Sequence, residues 1–255
     1  MNPAEAYLPA LVRGDVPALA GLFAAGPAVD DPLGGRARGP AELERLAAER
    51  HAWLTKRQAR VEPLRTTSAT SRTIVENLLH LVLPEARAVS LPVAVVGETA
   101  SASRLSAVRV YHSLWPLLGH HVIRPPLLAH NPSLHVTDIV AAYQRALAAG
   151  DVDAIVATFE PDGYFREPSG GGFVFTGLAD LRRFMTNILS AGGIGLQHCS
   201  VTDDGVVCAI EFNAVSFGPR PIEPQAGVAV YERGPSGKLR GARIYDDVNV
   251  EAYTA

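Results

Sequence analysis

The chain has 255 residues, 47% of them hydrophobic, and 23 basic against 26 acidic side chains give a formal net charge of −3. That length suits two domains of roughly 100–150 residues, each able to bury a core. The balanced charge without a basic block weighs against nucleic acid as a partner, and no apolar run is long enough to span a bilayer.

The opening residues MNPAEAYLPALVRGD lack the basic-then-apolar order of a secretory signal, so a cytoplasmic protein is expected. From there the pattern predicts helices over 4–13, 15–24 and 40–58, with a short strand near 28–31. Strands follow near 60–66, 72–83, 91–97 and 103–112. Residues 113–136, rich in Pro and His, read as a connector between a first domain (1–112) and a second (137–255). The connector histidines His112, His120, His121, His130 and His135 match no common zinc spacing. In the second half Thr137 or Asp138 caps a helix ending near Ala149, with Ile139, Val140, Tyr143 and Leu147 on one face. Asp151 caps a second helix, DVDAIVATFE, and YFREP reads as a short strand followed by a GGGF turn. A third helix after Gly177 carries the stripe Leu181, Phe184, Met185 and Ile188. Beyond Gly193 the period changes to two, and LQHCSVT, GVVCAIEFNAVSF, AGVAVYER and KLRGARIYDDV read as four strands. The stretch FGPRPIEPQAG (217–227) is expected to be a loop able to cover a cavity mouth. Cys199 and Cys208 are the only cysteines, form no CxxC and are expected to be reduced thiols.

The halves are copies. YLPALVRGDVPALA (7–20) matches YQRALAAGDVDAIV (143–156) at a constant offset of 136 residues (143 − 7). The same offset sets Asp31-Pro32 on Glu167-Pro168, and RGPAELERL (38–46) fits TGLADLRRF (176–184) at an offset of 138. Two units this long are whole domains, not solenoid repeats. The order helix, helix, strand, helix, then meander predicts an α+β fold. It would comprise two tandem cone-shaped domains, each with three helices on a curved antiparallel sheet. The free sheet faces are expected to pack on each other as an intrachain pseudo-dimer, so the chain would be a monomer built as a pseudo-dimer, with further dimerisation left open.

The run Tyr143, Gly150-Asp151-Val152, Ala154-Ile155-Val156, Glu167-Pro168, Gly170 and Gly177 resembles the N-terminal half of ketosteroid isomerases. The closing KLRGARIYDDV is similar to the last strand of SnoaL-type polyketide cyclases and limonene epoxide hydrolases. All belong to the nuclear transport factor 2-like superfamily. The resemblance implies a proton-moving carboxylate before the Pro, Asp31 or Glu167, and an oxyanion-donating tyrosine, Tyr7 or Tyr143. It sets Pro92 and Gly227 where isomerases keep a second oxyanion donor, and Ile244 where epoxide hydrolases keep a second acid, so neither mechanism is complete. Resemblance to polyether epoxide-opening cyclases suggests that Asp31 pairs with Glu62, with Gln197 or His198 as the matching position in the second half. Glu211 is the nearest match to the strand acid of epoxide hydrolases.

Physical reasoning reaches a similar set of residues. A carboxylate at the mouth of an apolar cone is poorly solvated and holds its proton toward neutral pH. A tyrosine across the cavity can donate where charge develops. Period two sets Glu76 on one face with His80, and Glu211 on one face with Asn213. If that face is the concave one, the first cavity holds Asp31, Tyr7, Glu76 and His80, and the second holds Glu167, Tyr143, Glu211 and Asn213. Phe184, from the third-helix stripe, and Asp247, at the end of the last strand, complete the expected substrate-binding set. Each residue also has a plainer reading. The acids before Pro can be turn residues, the tyrosines core residues, and His80 an ordinary sheet residue. Glu76 and Glu211 can pair with Arg109 or Arg243, and Asp247 can be a cap. The resulting expectation is a cofactor-independent acid–base enzyme acting on a hydrophobic, oxygenated small molecule by cyclisation, isomerisation or epoxide opening. The alternatives are a small-molecule binder, or an interaction module with a partner site near Leu114, Trp115, Leu117 and Leu118.

Overall fold

The computed structural model describes residues 2–101, 103–168 and 173–247. The turn read at Gly170-Gly171-Gly172 lies outside them. The chain divides into two units, with the boundary between Gly119 and His120. In the first, α1 (Pro3–Arg13) and α2 (Val16–Gly21) lead into β1 (Phe23–Asp31) and β2 (Gly35–Arg38). Next come α3 (Pro40–Thr55), β3 (Arg60–Ala69), β4 (Arg72–Val82), β5 (Ala88–Ser101), β6 (Arg104–Tyr111) and the short α4 (Trp115–Leu118). In the second, α5 (Asp138–Ala149), α6 (Val152–Ala157), β7 (Phe159–Arg166), β8 (Val174–Thr176) and α7 (Leu178–Ile188) precede β9 (Ile194–Asp203), β10 (Val207–Phe217), β11 (Arg220–Arg233) and β12 (Leu239–Tyr245). Among the described residues, no helix is long and apolar enough to cross a membrane.

The two sheets have one topology. Their strand orders are β2-β1-β6-β5-β4-β3 and β8-β7-β12-β11-β10-β9. Four strands form the expected antiparallel meander, but the expected short strand is longer and joins the sheet parallel to the last strand, β1 on β6 and β7 on β12. The small strands β2 and β8 hairpin onto β1 and β7 and are an addition to the reading from sequence. The 217–227 stretch is not a loop. β11 starts at Arg220, and Gln225, Ala226 and Gly227 pair with Ala214, Asn213 and Phe212, so the segment is held in the sheet and cannot act as a lid.

The repeated Gly-Asp-Val has a local cause. Gly14 (φ 69°) and Gly150 (φ 69°) end α1 and α5 in the left-handed conformation that glycine reaches without Cβ strain. The following Asp15 and Asp151 each accept from a backbone N–H of the next helix, Ala18 at 3.0 Å and Ala154 at 2.9 Å. One tripeptide thus stops one helix and starts another. At the head of α1, Asn2 and Glu5 form a reciprocal capping box.

Alternation fixes which sheet face meets the helices. In the first unit Val75, Leu79 and Leu81 of β4 and Leu91, Val93 and Val95 of β5 join Tyr7, Leu8, Leu43 and Leu46 in one core. In the second, Ile210, Phe212 and Ala214 of β10 and Ala229 and Tyr231 of β11 join Val140, Tyr143, Leu181, Phe184 and Met185. The 120–136 segment runs with the second unit. Arg124 and Leu128 carbonyls accept from Ala226 N (2.8 Å) and Asn213 Nδ2 (3.0 Å), and Asn131 N donates to His198 O (2.9 Å).

The two glycine caps differ in what a side chain would meet. A Cβ at Gly14 would lie 2.6 Å from the His51 ring, which can rotate, whereas one at Gly150 would lie 2.8 Å from the backbone nitrogen of Gly193. Gly14→Ala is expected to destabilise by about 1–2 kcal/mol, the cost of a left-handed alanine. Gly150→Ala is expected to cost more, since backbone cannot yield, and the difference is read from urea denaturation midpoints of the two variants.

Candidate functional site

The parallel pairing of β7 with β12 positions the site. Ala242 lies opposite Phe165, and both belong to the helix-facing core. Two residues on, Glu167 follows Phe165 on the same face; four on, Asp246 follows Ala242. Both strands run the same way, so both acids emerge at one end of the sheet. Asp246 is 9% exposed, and its Oδ1 is buried without a hydrogen-bond partner. Burial pushes its carboxyl up to about 8, with the charges of Asp247 and Glu167 adding to the rise. Burial alone pushes Glu167 up to about 7.

Three phenyl rings pack together in the same core. Phe184 stacks on Phe175 with centroids 4.1 Å apart and tilts against Phe165 at 5.1 Å. Gly227 makes room for the acid. A Cβ there would fall 2.5 Å from Cζ of Phe212 and 2.9 Å from Cβ of Asp246.

On the same face lies a chain of polar groups. Gln144 Nε2 donates to the Tyr231 hydroxyl oxygen at 2.7 Å. Gln144 Oε1 lies 3.1 Å from His198 Nε2. An amide oxygen only accepts, so His198 carries its hydrogen on Nε2; an amide nitrogen only donates, so the Tyr231 O–H remains available as a donor. Burial, together with His130, holds His198 below its ordinary value and neutral. Tyr143 packs edge-on to Phe159 and tilts against Tyr231 at 5.2 Å. Burial raises both phenols well above their ordinary range, which keeps them protonated.

The first unit places different groups at the matching positions. Asp30 lies opposite Arg109 as Arg166 lies opposite Arg243, so Asp31 matches Glu167 and His112 matches Asp246. Burial pushes Asp31 up, but Arg50, His112 and the amides of Gly34 and Leu33 outweigh it and hold the carboxyl below its usual range. Arg50 Nε lies 3.3 Å from Asp31 Oδ1, and Leu33 N and Gly34 N donate to that oxygen at 2.8 and 2.7 Å. At the 138-residue offset, α7 carries Ile188 where α3 carries Arg50. Burial and the Asp31 charge also push the Tyr7 hydroxyl far up.

Thus Glu167, Tyr143 and Phe184 share the helix-facing side of the second unit, and Asp31 and Tyr7 that of the first. The other candidates do not line these sites. His80 faces away from the helices, bonded through Nε2 to Glu62 Oε2 (2.8 Å) and through Nδ1 to Ser90 Oγ (2.9 Å). Glu62 therefore does not pair with Asp31. Glu76 shares the face of His80, because Val75 and Leu79 take the helix side. Glu211, which accepts from Ser200 Oγ, and Asn213 are turned away by the same alternation around Phe212. Asp247 is held by the segment that precedes α5. It accepts from Val122 N at 2.9 Å and lies 2.6 Å from His121 Nδ1, and its charge adds to the rise at Asp246. The sequence reading missed Asp246, Tyr231 and Gln144, and named His198 only as an alternative position. Asp246 was reachable by counting in twos from Ala242.

Residues 140–241 match the family model of the SnoaL-like domain. This match to a SnoaL-like domain falls within the second unit, and the first unit repeats its strand order, so the chain is two tandem units of one α+β topology. No functionally curated protein matches the chain. Similar solved structures include the epoxide hydrolase/cyclase-like enzyme SalBIII, of pyran ring formation in polyether salinomycin. It is 25% identical over 43% of this chain and 88% of that one, with a TM-score of 0.37. A hypothetical protein with a ketosteroid isomerase-like fold from Catenulispora acidiphila, in complex with trimethylamine, is 18% identical over 46% and 89% (TM-score 0.40). An NTF2-like protein of unknown function from Cytophaga hutchinsonii is 10% identical over 43% and 95% (TM-score 0.36).

The two acid sites predict opposite pH limbs. The lowered Asp31 contributes stability above the ordinary carboxylate range, lost as pH falls through its folded value. The raised Glu167 and Asp246 contribute stability fully present below about pH 4 and lost as pH rises through about 7 to 8. In thermal unfolding from pH 2 to 9, Glu167→Gln should flatten the neutral limb. Asp31→Asn should flatten the acid limb, to which the lowered Asp203 also contributes, and cost about 3–5 kcal/mol, because Arg50 stays buried without a counter-charge.

Proposed function

We propose that the second unit is a cofactor-independent general acid–base catalyst acting on a hydrophobic, oxygenated small molecule. The supporting observation is the pair of carboxyl groups, Glu167 and Asp246, raised to about 7 and about 8 at one end of an aromatic-walled sheet face. Groups in that range exchange protons in both directions at neutral pH. Two such neighbours ionise unequally, so the pair holds one proton and presents one base and one acid.

Glu167, the more readily ionised, takes a proton from a substrate hydroxyl or an acidified C–H. Asp246 gives its proton to the oxygen that gains charge, and the Tyr231 and Tyr143 hydroxyls donate to the same oxygen. In ring closure onto an epoxide, the hydroxyl oxygen forms the new C–O bond while the epoxide C–O bond breaks. One proton moves to Glu167 and one leaves Asp246, so the pair ends with its proton count unchanged and its roles exchanged. Isomerisation of an unsaturated ketone uses the same transfer in sequence. The apolar wall keeps water from competing. The first unit takes no part in this chemistry: Asp31 is tied to Arg50 and two backbone amides and is a poor proton carrier near pH 7.

The test is turnover of a panel of hydrophobic hydroxy-epoxides and β,γ-unsaturated ketones. Glu167→Gln and Asp246→Asn should each lower kcat/KM by about 10²–10⁴, with a bell-shaped pH profile in the wild type. His80→Ala, on the opposite face of the first sheet, should leave turnover unchanged. Turnover that survives both carboxyl substitutions would overturn the proposal.

A further inference from the structure

The first unit contains a second group of buried polar atoms, which its own fold leaves unused. Tyr7, Asp31 and Arg50 come from α1, the end of β1 and α3, and are 0%, 3% and 5% exposed. Four of their atoms are buried without a hydrogen-bond partner: the Tyr7 hydroxyl oxygen, Asp31 Oδ2, and Arg50 Nε and Nη1. The 3.3 Å contact of Arg50 Nε with Asp31 Oδ1 is an ion pair without hydrogen-bond alignment. Buried polar groups in native proteins are nearly always satisfied, so several orphans among three mutually interacting residues indicate an occupant.

The donor set specifies that occupant. Arg50 Nη1 and the Tyr7 hydroxyl offer hydrogens, and Asp31 Oδ2 offers lone pairs. The charges of Asp31 and Arg50 cancel, so a charged ligand would gain no net counter-charge from these three side chains. A neutral group with an acceptor beside a donor meets all three. The frame is set beforehand. The guanidinium lies over the Trp53 ring, 4.8 Å from its centroid, and the Arg50 stem lies under Gly34, where a Cβ would come within 3.1 Å of Cδ. A receptor fixed in this way loses little freedom on binding.

We propose that the helix-facing side of the first unit is a second, non-catalytic binding site for a neutral amide- or lactam-type group. Its carbonyl oxygen accepts from Arg50 Nη1 and the Tyr7 hydroxyl, and its N–H donates to Asp31 Oδ2. This assignment is independent of the chemistry assigned to Glu167 and Asp246.

The test is ligand-observed NMR titration of the full chain with δ-valerolactam, against N-methyl-δ-valerolactam, valerate and protonated piperidine. The lactam is expected to bind. The N-methyl compound, lacking the donor, is expected to bind about tenfold more weakly, and the two ions not at all. Tyr7→Phe keeps the ring and the fold, checked by near-ultraviolet circular dichroism, and should weaken lactam binding by about five- to tenfold. Failure of the lactam to bind, equal binding of both lactams, or affinity unchanged in Tyr7→Phe, as for binding to the second unit, would overturn the proposal. So would a crystal structure in saturating lactam with only water between these three side chains.

Discussion

A carboxyl group buried at the end of a core strand must either hold its proton or find a positive partner. The parallel pairing of the first and last strands imposes this constraint on both units, because it delivers Asp31, the last residue of β1, and Glu167, the residue after β7, to the helix-facing side. The two units meet it in opposite ways. In the second, burial of Glu167 and of a second acid, Asp246, raises both carboxyls, so the pair keeps a proton near neutrality. The first supplies Arg50, His112 and two amides, so Asp31 stays ionised. One helical position accounts for much of the difference, arginine in α3 and isoleucine in α7.

Much of the fold was legible because its signals are local. The Gly14-Asp15 and Gly150-Asp151 pairs mark helix boundaries by a backbone conformation and a side-chain cap, and both are readable from residue type. The acid before the proline was found for the same reason. Which face of a strand meets the helices is a different kind of information. In β10 every residue from Val207 to Asn213 is buried. A strand buried on both faces carries no hydrophobic phase, so Glu211 and Asn213 were assigned to the helix side, which Ile210 and Phe212 occupy. Arg50 gave no signal as one more charged residue on a long helix. Its meaning appears only in three dimensions, beside Asp31.

Duplication followed by divergence explains why the halves look alike in sequence and differ in chemistry. The helix stops, caps and strand order are shared requirements of folding and survive in both. The residues that face the buried carboxyl are free to change as long as each combination is electrostatically consistent. Glu167 with Asp246 is one such combination, and Asp31 with Arg50 and His112 is another. Removing either Asp31 or Arg50 alone would leave an uncompensated buried charge, so those two residues depend on each other.

The segment before α5 bears on how the chain can be divided. Arg124, Leu128 and Asn131 hydrogen-bond along β9, β10 and β11, and His121 and Val122 hold Asp247 beside the buried Asp246. A fragment cut at the start of α5 would leave the Ala226 N–H and the Asn213 amide without these partners and release the neighbour of the acid pair. The natural seam for expressing the second unit alone therefore lies at His120, seventeen residues earlier than helix periodicity suggests (137 − 120).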